Sequence, residues 1–176
     1  MDDVFRLFLE NTHAEALEFA ARSDVLQIRP EKSDPPYIYY CEFQASFLGR
    51  LPDGTVGIQP GPVRCLIRFP SDYLLSLEPR LYMRVASVLT PNFVHPNVFG
   101  GVVCLGDGFG PGTPISEVIW LLFQIVSYRN CTLDERNAMN AEASRLLRAS
   151  PGLLASLERP RLLRPRNPRS NPAEIQ

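Results

Sequence analysis

Between Thr90 and Thr113 the chain carries His95-Pro96-Asn97 and then Cys104, inside Gly100-Gly101-Val102-Val103-Cys104-Leu105. A thiolate attacks acyl groups, and a histidine this close in sequence is the first candidate for the base that would deprotonate it. Taken alone, Cys104 reads as a structural cysteine and Asn97 as a turn residue. Only their neighbourhood raises either above that. The glycine-rich Gly106-Asp-Gly-Phe-Gly-Pro-Gly112 lacks the Gly-Lys-Ser/Thr ending of a phosphate cradle and contains Pro111, so nucleotide binding is not expected. Cys41, Cys65, Cys104 and Cys131 are widely spaced with no Cys-x-x-Cys pair, which argues against a metal site and against a disulfide framework. Reduced thiols, no metal and no organic cofactor are expected.

The elements that must position these residues are an α+β set. Thr12 and Glu15 form a Thr-x-x-Glu capping box ahead of Ala16, Leu17, Ala20 and Ala21, which predicts an amphipathic helix over Thr12–Arg22. His13 falls on its polar part and is expected to be solvated. Four β-rich segments follow, Val25–Arg29, Ile38–Phe47, Val63–Phe69 and Leu81–Val88, separated by Pro, Gly and Asp clusters, in the order of an antiparallel meander. The alternation of Val63, Cys65, Ile67 and Phe69 with Arg64 and Arg68 suits a sheet with one buried and one wet face. From Thr90 to Thr113 no period persists, and long irregular connections in compact domains tend to be functional. Thr113 is expected to cap a buried helix with Pro114 at its first position, carrying Ile115, Val118, Ile119, Leu122, Phe123, Ile125 and Val126. Further helices are expected over Asn137–Arg148 and from Ser150-Pro151 to Leu157.

The length of 176 residues, 45% of them apolar, fits one domain over 1–158. The tail 159–176 is Pro- and Arg-rich, without periodicity, and is expected to be extended or disordered. Of the net charge of −1, five arginines against one glutamate after Glu158 leave +4 on the tail and −5 on the body. The tail reads as a solvated terminus, and nucleic-acid binding is not favoured. Asp2 and Asp3 stand where a secretory signal would be basic, and Val118–Val126 falls short of a membrane span, so a cytoplasmic protein without membrane attachment is expected. Lys32 is the one lysine among eighteen Lys and Arg residues. An arginine-biased genome explains that, as it does the 17 prolines; a carrier of a lysine-reactive acyl group would also gain by presenting few amines to itself.

Phe69-Pro70-Ser71-Asp72-Tyr73, then His95-Pro96-Asn97-Val98, then Gly101-Val102-Val103-Cys104-Leu105, and finally Asn137-Ala-Met-Asn140-Ala-Glu-Ala143 resemble, in that order, the signature segments of ubiquitin-conjugating enzymes. The resemblance runs from about Thr12 to Leu157. It implies that family's fold: an N-terminal helix, a four-stranded antiparallel meander, an active-site loop and C-terminal helices. It also implies an acyltransferase activity. Cys104 would accept a ubiquitin-like modifier as a thioester from an activating enzyme, which uses the ATP, and an amine of a target protein would then attack. Asn97, at the matching position, would stabilise the oxyanion, while His95 and Pro96 shape its loop. The family's gate residue maps to Asn130–Asp134, with Thr132 nearest and Asp134 the nearest acid. Cys131, in the same stretch, is expected to be packed, though a position facing Cys104 would make it a spare or inhibitory thiol.

The chain departs from the family in three places. The interval from Asn97 to Cys104 is one residue short, which Gly100-Gly101 would have to absorb. Gly112-Thr113-Pro114 stands where Trp-Ser-Pro is usual, and Tyr73-Leu-Leu-Ser-Leu-Glu-Pro79 replaces a proline-rich run. These last two are the loops that commonly meet ligases, so either no conventional ligase or a different one is expected. Such divergence is similar to the conjugating-like proteins of bacterial conjugation operons, some linked to antiviral defence. Two other functional classes are consistent with the residues: a non-catalytic modifier-binding module of the same fold, and a cysteine hydrolase of conjugates using Cys104 and His95.

Overall fold

The structure, a computed structural model, describes residues 2–75, 82–106 and 109–164. Helix α1 spans Asp3–Ala21, and the Asp2 carboxylate caps it by accepting from the Val4 amide at 2.8 Å. Phe5, Leu9, Thr12, Ala16 and Phe19 fall on one face and are buried. The expected start at a Thr12–Glu15 capping box is therefore wrong: Thr12 is buried in mid-helix, and the Glu15 carboxylate accepts from the Ser116 hydroxyl. Asp2 supplies the cap a full ten residues earlier, and Phe5 and Leu9 extend the same i, i+4 stripe.

The strands are β1 Leu26–Pro30, β2 Ile38–Phe43, β3 Phe47–Arg50, β4 Val56–Gln59, β5 Val63–Arg68, β6 Ala86–Val88, β7 Val98–Phe99 and β8 Val102–Val103. Six form one antiparallel sheet in the order β1-β2-β5-β6-β8-β7, while β3 and β4 form a separate hairpin. Two expected segments need correction. Ile38–Phe47 breaks after Phe43, where Gly61 crosses so closely that a Cβ there would lie 2.6 Å from the Ala45 carbonyl oxygen. The chain beyond that crossing folds out as the β3–β4 hairpin. Of Leu81–Val88, only Ala86–Val88 is strand; Tyr82–Val85 is a helical turn, α2, and Leu81 lies outside the described residues. The β5 alternation is as read, with Val63, Cys65 and Ile67 buried and Arg64 and Arg68 exposed.

Helix α3, Ile115–Val126, crosses the core and buries Ile115, Val118, Ile119, Leu122, Phe123, Ile125 and Val126. Its N-cap is Pro114, in extended backbone with ψ 153°, so the helix starts one residue later than expected. The Thr113 hydroxyl is instead committed to the Gly110 carbonyl at 2.7 Å. Helices α4, Ala141–Ala149, and α5, Pro151–Ala155, follow. The N-terminal part of the expected Asn137–Arg148 helix is a turn on Asp134, whose carbonyl accepts from the Asn137 and Ala138 amides. His13, expected to be solvated, has a buried Nδ1 with no hydrogen-bond partner among the described residues and a ring 6.4 Å from that of Tyr39.

Beyond Glu158 the chain stays on the body without regular structure through Arg164. Leu162 is buried, its carbonyl accepts from the Ser23 hydroxyl, and the Arg164 amide donates to the Arg22 carbonyl at 3.0 Å. The Arg164 guanidinium meets Asp24 at 2.8 Å. The rest of the Arg-rich tail, with Arg166 and Arg169, lies outside the described residues. Among the described residues no helix is long and apolar enough to cross a membrane.

Candidate active site

Strands β7 and β8 are joined by Gly100-Gly101, with φ of 58° and 83°. Two consecutive positive φ values define the two-residue type I′ turn, whose twist matches that of the paired strands. The register is Phe99 opposite Val102 and Val98 opposite Val103. One step further out, Asn97 comes opposite Cys104, and the Cys104 amide donates to the Asn97 carbonyl at 2.9 Å. Residues directly opposite across an antiparallel pair project from the same face, with Cβ atoms about 4.5–5.5 Å apart. Val98 and Val103 take the core face and are buried. By that alternation Asn97 and Cys104 fall on the other face of the pair.

The Asn97 side chain is fixed from one end. Its Oδ1 accepts from the Thr132 amide at 3.0 Å, while its Nδ2 makes no hydrogen bond among the described residues. A side-chain amide held by its oxygen presents its N–H groups at a set angle without spending them, which is what an oxyanion donor requires. The Cys104 thiol is half-buried and likewise makes no hydrogen bond among the described residues.

His95 is wholly buried. Its Nδ1 accepts from the Asn97 amide at 2.9 Å, so the ring proton belongs on Nε2, which faces the Cys131 Sγ at 3.5 Å. Burial pushes the imidazole down to about 3 and the Cys131 thiol up to about 12. The pair is thus a neutral imidazole, wholly buried, against a neutral thiol that is half-buried. The ring is stacked against Phe93 and lies 4.7 Å from that of Tyr128, whose hydroxyl donates to the Val94 carbonyl at 2.6 Å and accepts from the Leu48 amide at 3.0 Å. Pro96, also buried, offers its carbonyl to the Asn140 amide at 2.8 Å.

Of the expected gate residues, Thr132 reaches the site through its main chain, at Asn97. The Asp134 carboxylate is engaged by the Arg136 amide and guanidinium at 3.1–3.2 Å and by Asn137 Nδ2 at 3.1 Å. The guanidinium holds it below the usual carboxylate range, which disfavours it as a proton acceptor. Tyr128 and Asn140 were not among the residues singled out for the site, because their part is to hold main-chain groups. Among the described residues no three His, Cys, Asp or Glu side chains come together as a metal would require.

No family model and no curated protein sequence matches this chain. The site combines a half-buried thiol, an amide whose N–H groups are unspent, and an imidazole buried and turned to Cys131.

Proposed function

We propose that the chain is a conjugating enzyme of the ubiquitin-conjugating type, carrying a ubiquitin-like modifier on Cys104. The carrying observation is the cross-strand pair of Cys104 and Asn97, with the Asn97 amide held by Thr132. The Cys104 thiolate attacks the modifier's C-terminal thioester on an activating enzyme, and that enzyme's cysteine leaves as thiolate. In the second step a target amine attacks, the Cys104 thiolate leaves, and the ammonium proton passes to solvent. Both steps go through a tetrahedral oxyanion beside Cys104; thiolate-for-thiolate exchange is the easier of the two, and Asn97 Nδ2 donates where the barrier is higher, in the attack by the neutral amine. ATP is consumed by the activating enzyme, so the chain needs no nucleotide or metal of its own. The order of helix, antiparallel sheet, irregular loop and C-terminal helices supports the ubiquitin-conjugating-like fold in the same way.

Thioester chemistry needs a reduced thiol, which fits a cytoplasmic setting. The segments at Tyr73 and Thr113, where ligases would dock, are tied together by the Tyr73 hydroxyl donating to the Thr113 carbonyl at 3.0 Å. With the usual aromatic and proline-rich residues missing there, transfer without a conventional ligase is the reading we favour.

A cysteine hydrolase would need His95 as base, and His95 is buried with Nδ1 engaged and Nε2 turned to Cys131. A binding module would have no use for an Asn97 donor held beside a thiol. The test is to offer the chain two substrates: a modifier charged on its activating enzyme, and a linear modifier fusion without ATP. A thioester on Cys104 from the first supports the proposal; cleavage of the second, or binding without a thioester, sinks it.

A further inference from the structure

Asn140 opens helix α4, and its Oδ1 accepts from the Ala143 amide at 3.0 Å, an ordinary N-cap. The same residue makes two contacts that a cap does not require. Its main-chain amide donates to the Pro96 carbonyl at 2.8 Å, and its Nδ2 donates to the Val98 carbonyl at 3.3 Å. These two carbonyls flank Asn97 on either side. Strand β7 lies at the edge of the sheet, with β8 on one side and, among the described residues, no strand on the other. Left to itself, a two-residue edge strand would fray. Asn140 takes the place of the missing neighbour at Val98.

We infer that Asn140 is a positioning residue for the acyl-transfer site: it straps both flanks of Asn97 to the α4 N-terminus and so fixes the Asn97 amide against Cys104. The inference rests on the proposed reaction for its consequence, and on the hydrogen bonds alone for the strap. Three groups then hold Asn97 from three directions: Thr132 on the side chain, His95 Nδ1 on the amide, and Asn140 on the flanking carbonyls. Each acts without touching a reacting atom. Displacing the Asn97 donor would weaken the oxyanion contact more than it weakens binding of either protein partner, so the effect falls on the rate of the slower step, amine attack, and leaves the extent of charging unchanged.

Asn140→Asp keeps the cap acceptor and the main-chain amide but removes the Nδ2 donor, and Asn140→Ser does so without adding charge. Two measurements separate the strap from the reaction. Hydrogen exchange of the Cys104 amide, which donates to the Asn97 carbonyl, should speed up about three- to tenfold in both variants while α4 amides keep their protection. Single-turnover discharge of Cys104 onto free lysine should slow by a similar factor, with the extent of charging and the KM for the charged activating enzyme unchanged. Wild-type exchange at Cys104 in both variants overturns the strap, whether or not the protein charges. Faster exchange with wild-type discharge overturns the positioning role. Faster exchange in a protein that never charges leaves the strap and removes the proposed reaction, so the two failures are distinct.

Discussion

Asn97 and Cys104 stand opposite one another across the β7–β8 hairpin, one step beyond the Val98–Val103 pair, with the Cys104 amide donating to the Asn97 carbonyl at 2.9 Å. The thiol and the amide donor are thus set by strand register, which a two-residue glycine turn fixes. Register is an all-or-none property: a slip of one residue would send one of the two side chains to the opposite face.

Removing the donor should separate the two chemical steps. Asn97→Ala is expected to accept modifier on Cys104 and to discharge it to an amine about a hundredfold more slowly, the order found for loss of one oxyanion donor. It also leaves the Thr132 amide without its partner, at a stability cost of about 1–3 kcal/mol. Charging and discharge followed separately by gel, with chemical denaturation alongside, check both. Discharge at the wild-type rate would remove Asn97 from the chemistry.

The turn is open to the same kind of test. Gly101 has φ 83°, and a Cβ there would lie 3.1 Å from the Val88 carbonyl oxygen. Gly101→Ala should therefore destabilise the protein by about 1–3 kcal/mol and disturb discharge. Gly100, with φ 58° and open space around it, should accept asparagine with little change, since Asn-Gly suits a type I′ turn. Denaturation midpoints of the two variants decide; equal effects would contradict the hairpin geometry.

His95 should appear in stability and not in the rate profile. Its folded-state value of about 3 lies below the 6.5 of the unfolded chain, so at pH 5 the unfolded state binds a proton that the folded state refuses. Stability is then fully present above pH 6.5 and is lost as pH falls toward 3. By pH 5 the loss relative to high pH is about 2 kcal/mol. His95→Gln should flatten that slope, as read by denaturation across the range. A discharge profile with a step near pH 6.5 that vanishes in the variant would instead make His95 a base.

The four thiols should differ in reactivity. Burial pushes Cys41 and Cys131 up to about 12 and Cys65 well above its ordinary value; Cys104 and Cys131 are both half-buried, but only Cys131 is turned against a buried ring, that of His95. At pH 7.5 a thiol at about 12 has almost no thiolate, so mild alkylation should mark Cys104 first, and Cys104→Ser should abolish the fast phase. Peptide mapping that finds Cys131 labelled equally fast would contradict its packing against His95.

Much of this arrangement was legible in the sequence where a side-chain pattern carries the information. The apolar run of α3, interrupted only by Gln124 between Val118 and Val126, and the alternation of β5 announced themselves, and the order of His95-Pro96-Asn97, Gly100-Gly101 and Cys104 drew attention to the loop. The start of α1 was missed because exposed Val4 and Leu7 blur the stripe of Phe5 and Leu9. The β3–β4 hairpin was missed because Gly49 and Gly57 face each other in it, and because β3 is buried at three successive residues while β4 is mostly half-buried, which leaves little alternation to read. At the site, Thr132, Asn140 and Tyr128 act on main-chain groups, which have no residue signature, and the His95–Cys131 contact joins positions too far apart in sequence to suggest each other.

The most direct test is intact mass after incubation with a candidate activating enzyme, its ubiquitin-like modifier and ATP, with and without reductant, for wild type and Cys104→Ser. The account predicts a modifier-sized adduct that reductant removes from wild type and that is lost or becomes reductant-stable in the variant. Absence of any adduct while the activating enzyme itself is charged, or an adduct in the variant that reductant still removes, would contradict Cys104 as the acyl carrier.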